Sequence, residues 1–329
     1  MAIRLKLYLP PLRMAEAVGF RQLTLVPVVG GGPRFQDYLL AEEAIGAGLL
    51  TITEVNESGT VPELLATNGS DKPVLLLDGE ELQGAKQNRI LNTTVLLPAH
   101  AKTRIPVSCV EAGRWDYTSR EFRSGHYSPS SLRQIKSRDV QASLRAHGVA
   151  RSDQRAVWDA VGHKIRAFSV AAPTAAMADV VDRTRDVIAE YQKALPYPDG
   201  ACGLIAAIAG RFAAADIFDS PSTLKAIWPR LVGSYALDTE VAGKSEAKSF
   251  TAKGAGEVLA HAAEQECVVC PTVGLGRDLR FEAPDLLGQA LVVESRMIHV
   301  SIFPTNGSQQ AGSARHGRIV APSRRAKPR

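Results

Sequence analysis

Val74-Leu75-Leu76-Leu77-Asp78-Gly79-Glu80-Glu81-Leu82-Gln83-Gly84-Ala85-Lys86-Gln87-Asn88-Arg89-Ile90 joins an aliphatic run to a segment in which eight of the twelve positions from Asp78 to Arg89 are charged or carry amides. The aliphatic part has the length of a buried strand. Strands normally leave the core through short turns of Gly, Asn, Asp or Ser. Here carboxylates, amides and cations follow instead, so donors and acceptors are concentrated in one place. On either side lie further short β-branched or aliphatic runs: Leu23 to Val29, Leu49 to Val55, Val61 to Thr67, Ile90 to Leu97 and Arg104 to Val110. Turns rich in Gly, Pro, Asn and Ser separate them. In this first third only Arg34 to Ala47 has a helical pattern. The cadence from Asn68 to Val107 predicts a β-sandwich or a small barrel, with a jelly roll as a further arrangement of the same strands.

After Ser124 the period lengthens. Val157, Trp158, Val161, Ile165 and Phe168 share one helical face, as do Met177, Val180, Val181, Val187, Ile188 and Tyr191. Leu204 to Ala209 and Phe212 to Phe218 predict a hairpin around Gly210-Arg211. Ser220 and Pro221 then predict the cap and first residue of a helix carrying Leu224, Ile227, Trp228, Leu231 and Tyr235. A helix near Gly254 to Gln265 precedes strand-like runs at Cys267 to Val273, Leu279 to Glu282, Ala290 to Glu294 and Met297 to Phe303. This order of β-rich, helical and mixed segments predicts an α+β fold rather than a doubly wound parallel sheet. Residues 1–124 form the expected β-rich region with the candidate site. Residues 125–304 form the helical and mixed region packed with it in one domain, and 305–329 a tail.

With 329 residues and 45% hydrophobic content, the chain can fill a sizeable core without staples. Its four cysteines suit a reducing compartment, and Pro10 and Pro11 interrupt the early apolar stretch, so neither a secretory signal nor a membrane span is read. A cytoplasmic protein is expected. The formal charge of +5 is uneven: Thr305 to Arg329 holds six Lys or Arg and no acid, leaving −1 for the remainder. That tail is too poor in apolar residues to fold alone and is expected to be disordered. It supports at most weak, salt-dependent contact with nucleic acid.

The polar string gains neighbours if the strand ends meet: Glu54 ends one strand, while Cys109, Glu111, Arg114 and Trp115 follow another. Glu80, Glu81 and Glu111 are the candidate acid, base or metal-binding groups, because burial and nearby cations shift carboxyl pKa values in opposite directions. Glu54, Asp78, Lys86, Gln87, Asn88, Arg89, Arg114 and Trp115 are the candidate ligand-binding residues. Among these, Arg suits bidentate contact with phosphate or carboxylate and Trp offers a stacking face. The competing reading is an ion-pair network that braces a hairpin. Adjacent strand residues point to opposite faces, so Glu80 and Glu81 share a pocket only where the strand breaks.

Other motifs are weak. Cys267-Val268-Val269-Cys270 lacks the second pair that a structural zinc site needs. Gly30-Gly31-Gly32-Pro33 and Gly243-Lys244-Ser245 each match only a fragment of a phosphate loop. No Gly-x-Ser-x-Gly or zinc-protease pattern occurs. Asp216, just before the capped helix, reads mainly as a turn residue. No metal set is assigned, and the sequence names no cofactor.

Ile52-Thr53-Glu54, Val61-Pro62-Glu63-Leu64, Gly79-Glu80-Glu81-Leu82, Gly84 to Arg89, Ile105 to Glu111 and Gly113-Arg114-Trp115 resemble the ARG and rhodanese-phosphatase-superfamily-associated protein domain family. The similarity extends through Ala215-Asp216-Ile217-Phe218 and the helix with Trp228 and Tyr235. The resemblance implies a gene-neighbourhood link to ADP-ribosylglycohydrolases and phosphatase-like proteins, and hence a place in NAD or ADP-ribose metabolism. It carries over no catalytic residue. The resulting expectation is a protein that binds or processes an anionic nucleotide-like ligand such as an ADP-ribose derivative. The alternative is a non-catalytic β-rich interaction module whose polar string is structural. Neither reading fixes an oligomeric state or requires a membrane.

Overall fold

A computed structural model describes residues 3–31, 37–59, 62–243 and 249–305. The basic tail, Val61, Gly32-Pro33 and Lys244-Ser245 therefore lie outside the described residues. The fold is α+β, with two principal sheets and helices between and beside them.

Nine antiparallel strands form the larger sheet among the described residues. Their order is Leu12–Met14, Leu23–Gly30, Ala201–Ile208, Arg211–Phe218, Arg296–Pro304, Leu286–Val293, Arg277–Glu282 and Val268–Cys270, with Val18–Phe20 also pairing to Leu23–Gly30. N-terminal strands thus complete a sheet whose other members lie beyond residue 200, and sheet membership does not follow the sequence boundary at residue 124. The expected hairpin turns at Ala209 and Gly210, both at positive φ (49° and 68°), the conformation that matches the twist of paired strands.

Period-two alternation gives this sheet two buried faces. Leu204, Ala206 and Phe218 meet Leu224, Ile227, Leu231 and Tyr235 of the helix Pro221–Ala242. Ile205, Ala215 and Ile217 turn the other way, toward Ala255, Leu259 and Ala262 of the helix Ala252–Ala263. Each fully buried Leu in these layers contributes about 1.5–3 kcal/mol. The Ser220 hydroxyl caps the first of these helices at the Ser222 amide, as its sequence predicts. The helix then runs seven residues beyond Tyr235, passing through Pro229.

The second sheet curls. Its order is Phe122–Tyr127, Glu80–Gly84, Arg89–Leu91, Lys102–Cys109, Glu63–Asn68 and Leu50–Glu54, and a bridge between Thr53 and Glu121 brings the two edges together. Ile52, Leu64, Ala66, Leu82, Leu91, Ile105, Val107 and Phe122 fill its interior. Of the sequence alternatives this is the small barrel. Against it lies a three-stranded sheet of Val95–Leu97, Val74–Leu76 and Leu39–Leu40. The run Ile90 to Leu97 is therefore two strands in different sheets, because Asn92, Thr93 and Thr94 divide it and take part in side-chain hydrogen bonds.

Two expected elements differ, and one helix was not expected. The described part of Arg34 to Ala47 is the short strand Leu39–Leu40 followed by the helix Ala41–Gly46, where the Glu43 carboxylate accepts from the Leu40 amide. The stripe from Met177 to Tyr191 belongs to two helices, Met177–Arg183 and Arg185–Ala194, with Thr184 between them bonding back to the Val180 carbonyl. The helix Ser130–His147 carries only a sparse apolar stripe, Leu132, Val140 and Leu144, and buries Arg133 and Lys136 beside it.

Candidate functional site at the barrel mouth

The fold divides the string from Asp78 to Arg89 among three surroundings. Asp78 and Glu80 face the junction between barrel and large sheet. Asp78 is fully buried, ion-paired to Lys136, with Arg133 Nε 3.5 Å away. Arg133 forks onto Asp216 at 2.5 and 3.0 Å, and Tyr235 donates to the same carboxylate at 2.6 Å. His299 stands 3.3 Å from Asp216 on one side and 2.8 Å from the Thr94 hydroxyl on the other. Asp278 and Arg280 pair nearby at 2.9 Å. Three carboxylates face three cations here, so the centre is charge-matched, while among the described residues Asp78 Oδ2, Arg133 Nε and Arg280 Nη1 have no hydrogen bond of normal geometry. Gly79 makes room for it: its φ is +80°, and a Cβ at this position would lie 2.6 Å from Arg133 Cγ. Glu80 is likewise committed, accepting from Arg230 at 2.9 Å and from the Leu77 amide at 3.2 Å.

Glu81 points the other way from Glu80, as alternation requires, and pairs across the ladder with Ile90. One of its oxygens accepts from Gln83 at 3.0 Å and from the His126 amide at 3.3 Å, while the other has no hydrogen-bond partner. Burial raises its pKa to about 7.

The third surrounding is the mouth of the barrel. Arg89 and Cys109 are directly opposed in the ladder, so their side chains share a face. Arg89 is fully buried: Nη1 donates to Gln87 Oε1 at 2.8 Å, while among the described residues Nε and Nη2 have no hydrogen-bond partner of normal geometry. Glu54 Oε1 stands 3.9 Å from Arg89 Nη2, and both Glu54 oxygens lack partners as well. Burial pushes the Glu54 carboxyl up, and the charge of Arg89 only partly offsets this. Trp115 lies over Arg89 with 5.6 Å from ring centre to guanidinium, and Lys86 sits 5.3 Å from the same ring and 5.0 Å from that of Tyr117. Trp115 and Tyr117 are 42% and 49% exposed, an aromatic rim above a buried cation.

Beside this rim, Glu111 and Arg114 form a closed pair. Glu111 accepts from Arg114 Nε and Nη2 at 2.8 and 2.6 Å, from the Asn88 amide at 2.9 Å and from Thr174 at 2.7 Å. Burial opposes its ionisation, but these donors prevail and its pKa is lowered. Arg114 also donates to the carbonyls of Gly84, Ala85 and Asp116. Gln87 donates to the Glu111 carbonyl at 2.8 Å. The pair pins the loop that carries Lys86 rather than presenting free charge.

Glu54, Lys86, Gln87, Asn88, Arg89, Glu111, Arg114 and Trp115 thus converge, while Asp78 and Glu80 belong to the junction and Glu81 to the outer face. Tyr117 and Gln154 were not singled out from sequence, and Trp158, read there as part of an apolar stripe, is instead 38% exposed beside the buried Val157 and Val161. Gln154 clamps the Cys109 peptide through both its amide atoms, at 2.8 and 2.7 Å. It also lines a cleft of about 250 Å³ with Pro62, Val107, Ser108, Arg151 and Ser152. No group of three or more His, Cys, Asp or Glu suited to a metal ion occurs among the described residues.

Fold and site together define an α+β protein in which a curled six-stranded barrel, braced on a large antiparallel sheet, opens at a buried arginine beneath an aromatic rim. The chain belongs to the ARG and Rhodanese-Phosphatase-superfamily-associated Protein domain family, whose model matches residues 11–303. That span covers the barrel, the helices and the large sheet as one family unit. No curated protein and no solved structure matches the chain. Among the described residues, no helix is long and apolar enough to cross a membrane.

Proposed function

We propose that the barrel mouth binds a small anionic, nucleotide-like ligand of the ADP-ribose class. The observation that supports this most directly is Arg89: a fully buried guanidinium with two N–H groups lacking acceptors, reached beneath an exposed Trp115, Tyr117 and Lys86. Buried donors of this kind are normally met by an acceptor, and a bidentate oxyanion fits the fork. Lys86 supplies a second, more accessible charge, and the aromatic rim supplies a flat face for a base or sugar. Arg114 sets the loop and does not itself hold the ligand. The family name, which couples this domain to ARG and rhodanese-phosphatase proteins, agrees with a ligand of this chemistry.

Thermal-shift titration with ADP-ribose, NAD, AMP and inorganic phosphate tests the reading. A ligand at about a hundredfold excess over its Kd raises Tm by roughly 4 °C in a chain of this size. The rise is expected with ADP-ribose and is expected to fall to about half or less in Trp115→Ala and Lys86→Ala. A wild-type Tm unmoved by the whole panel would sink the proposal.

One observation favours the alternative, an interaction module. Val268 and Val269 are exposed on the strand Val268–Cys270, which among the described residues ends the large sheet, with Glu266 and Cys267 just before it bridged to Arg4 and Ile3. Such an edge can add a strand from a partner. Lysine at both positions should then abolish capture of a partner while leaving ligand shifts intact.

A further inference from the structure

Glu54 stands where an anion on Arg89 has to go. Its Oε1 is 3.9 Å from Arg89 Nη2, and its side chain is almost fully buried. Neither of its oxygens has a hydrogen-bond partner among the described residues. The carboxylate also shares its space with the rim. The point that a Cβ on Gly59 would occupy is 3.4 Å from Glu54 Oε2 and 3.2 Å from both Trp115 Cζ2 and Lys86 Cδ. An oxyanion that reaches Arg89 beneath Trp115 and Lys86 therefore comes to rest beside this carboxylate.

Two anions this close in a buried place repel each other, and one guanidinium offsets only one of them. A proton on Glu54 removes the conflict and turns the carboxyl into a donor toward the oxyanion. From this geometry we infer that Glu54 takes up a proton when the mouth binds its anionic ligand, so that affinity rises as pH falls. The inference rests on the reading of the mouth as an anion site and adds how that site is regulated. Burial already raises the Glu54 carboxyl, against the pull of Arg89 and Lys86. Among the other titratable or charged groups around it, Glu111 is held ionised by Arg114, and the Cys109 thiol, opposite Arg89 in the ladder, is raised by burial. Tyr117 and Lys86 stand at the rim, Glu57 and Glu121 are exposed, and Glu63 on the neighbouring strand pairs with Arg104 at 3.3 Å. The sign follows from linkage. A bound anion lifts the Glu54 pKa above its unliganded value. Below the unliganded value the group is protonated in both states and affinity is constant. Between the two values each binding event takes up a proton and affinity falls by about tenfold per pH unit, and above the bound value it levels off.

The test is isothermal titration of the full chain with ADP-ribose at about pH 6.5, 7.5 and 8.5, each in two buffers of different ionisation heat, which reads the protons taken up on binding. ADP-ribose is the probe because both its phosphates are esterified and stay ionised throughout, whereas the terminal phosphate of AMP titrates. Wild type is expected to take up a proton on binding and to lose affinity by on the order of tenfold or more between the lowest and highest pH. Glu54→Gln keeps the shape, cannot ionise, and offers an amide donor in place of the carboxyl hydroxyl. It is expected to bind at the highest pH at least as tightly as wild type at the lowest, with no proton uptake. Its unliganded melting, read alongside, confirms the fold. Binding by wild type with no proton uptake, together with weaker binding by Glu54→Gln at every pH, would mean that Glu54 stays ionised and accepts from a ligand hydroxyl. That result overturns this inference and leaves the anion site standing. Proton uptake that persists in Glu54→Gln also overturns it, by placing the proton elsewhere. No binding of ADP-ribose at any of the three pH values overturns the anion reading itself and this inference with it.

Discussion

The junction around Asp78 and the barrel mouth around Arg89 are built from one continuous polar string, yet they settle their charges in opposite ways. At the junction, Asp78, Asp216 and Asp278 are matched by Lys136, Arg133 and Arg280. At the mouth, Glu54 and Arg89 are almost as deeply buried but stand 3.9 Å apart, with four polar atoms lacking hydrogen bonds. Among the described residues the junction too leaves Asp78 Oδ2, Arg133 Nε and Arg280 Nη1 without hydrogen bonds, so the difference lies in the ion pairs: close ones at 2.5 and 2.9 Å lock elements together there, whereas the wide pair at the mouth leaves donors for something else to meet. Burial alone does not separate a brace from a site.

The sharpest way to break this contrast is to remove one partner from the completed centre. Asp216→Asn strips the countercharge from Arg133 and the acceptor from Tyr235, and is expected to cost about 3–5 kcal/mol in urea unfolding. A loss below about 1 kcal/mol would show that the junction is not the brace. The acid limb of stability should agree. Burial opposes ionisation of Asp216, but Arg133 and His299 prevail and hold its pKa well below the ordinary carboxylate range. A depressed pKa contributes stability above the unfolded value, about 3.9, that is lost only as pH falls through the folded value. Wild type should therefore keep this contribution until strongly acid conditions.

Glu81 lies between the two regions and gives the next largest effect, with the opposite sign. Its pKa is raised by burial to about 7. A raised carboxyl pKa favours the fold below the unfolded value, about 4.3, and this contribution fades as pH climbs toward 7. Glu81→Gln removes the penalty and is expected to stabilise the protein at pH 8 by about 1–3 kcal/mol relative to wild type. At pH 4 the difference should be small. Unfolding curves at the two pH values check this, and a pH slope that survives the substitution would contradict it.

How much of this contrast was legible in the sequence follows from the same physics. The density of Asp78 to Arg89 marked a concentration of polar groups that the structure divides among three surroundings, and strand alternation already forbade Glu80 and Glu81 from sharing a pocket unless the strand broke. Glu54, Glu111, Arg114 and Trp115 were collected by supposing that strand ends meet, which the curled sheet bears out in geometry. Arg133 and Lys136 were not legible, because polar side chains interrupt the sparse apolar stripe of Leu132, Val140 and Leu144 on a helix that buries ion pairs. Asp216 read as a turn residue because its partners lie 83 and 19 residues away. The assignment of the N-terminal strands to the large sheet was equally hidden: strand runs announce themselves, but their partners do not.

Glu54→Gln tests the mouth directly against Asp216→Asn. It removes a buried carboxylate that no hydrogen bond satisfies and whose pKa burial already raises. The expected change in stability at pH 7 is within about 1 kcal/mol of zero, because the lost attraction to Arg89 is offset by the lost desolvation cost. A loss as large as that of Asp216→Asn would make the mouth a second brace and would weaken the case for a ligand there.

The smallest stability effect belongs to Lys86→Ala, and its smallness is what makes it informative. Lys86 donates only to the Ser58 carbonyl, at 3.0 Å, and otherwise faces the rings of Trp115 and Tyr117. Exposed contacts of this kind contribute up to about 1 kcal/mol. Unliganded Tm should therefore scarcely move. If the mouth is a site, the same substitution should lower affinity for an anionic ligand by at least about tenfold, the loss expected for one charge-assisted hydrogen bond. Isothermal titration at low and high salt separates the two roles: a charge contact weakens as salt rises in wild type, and that salt dependence should flatten in Lys86→Ala. Unchanged affinity and unchanged salt dependence in the variant would place Lys86 outside the site and leave Arg89 without an accessible partner to draw an anion toward it.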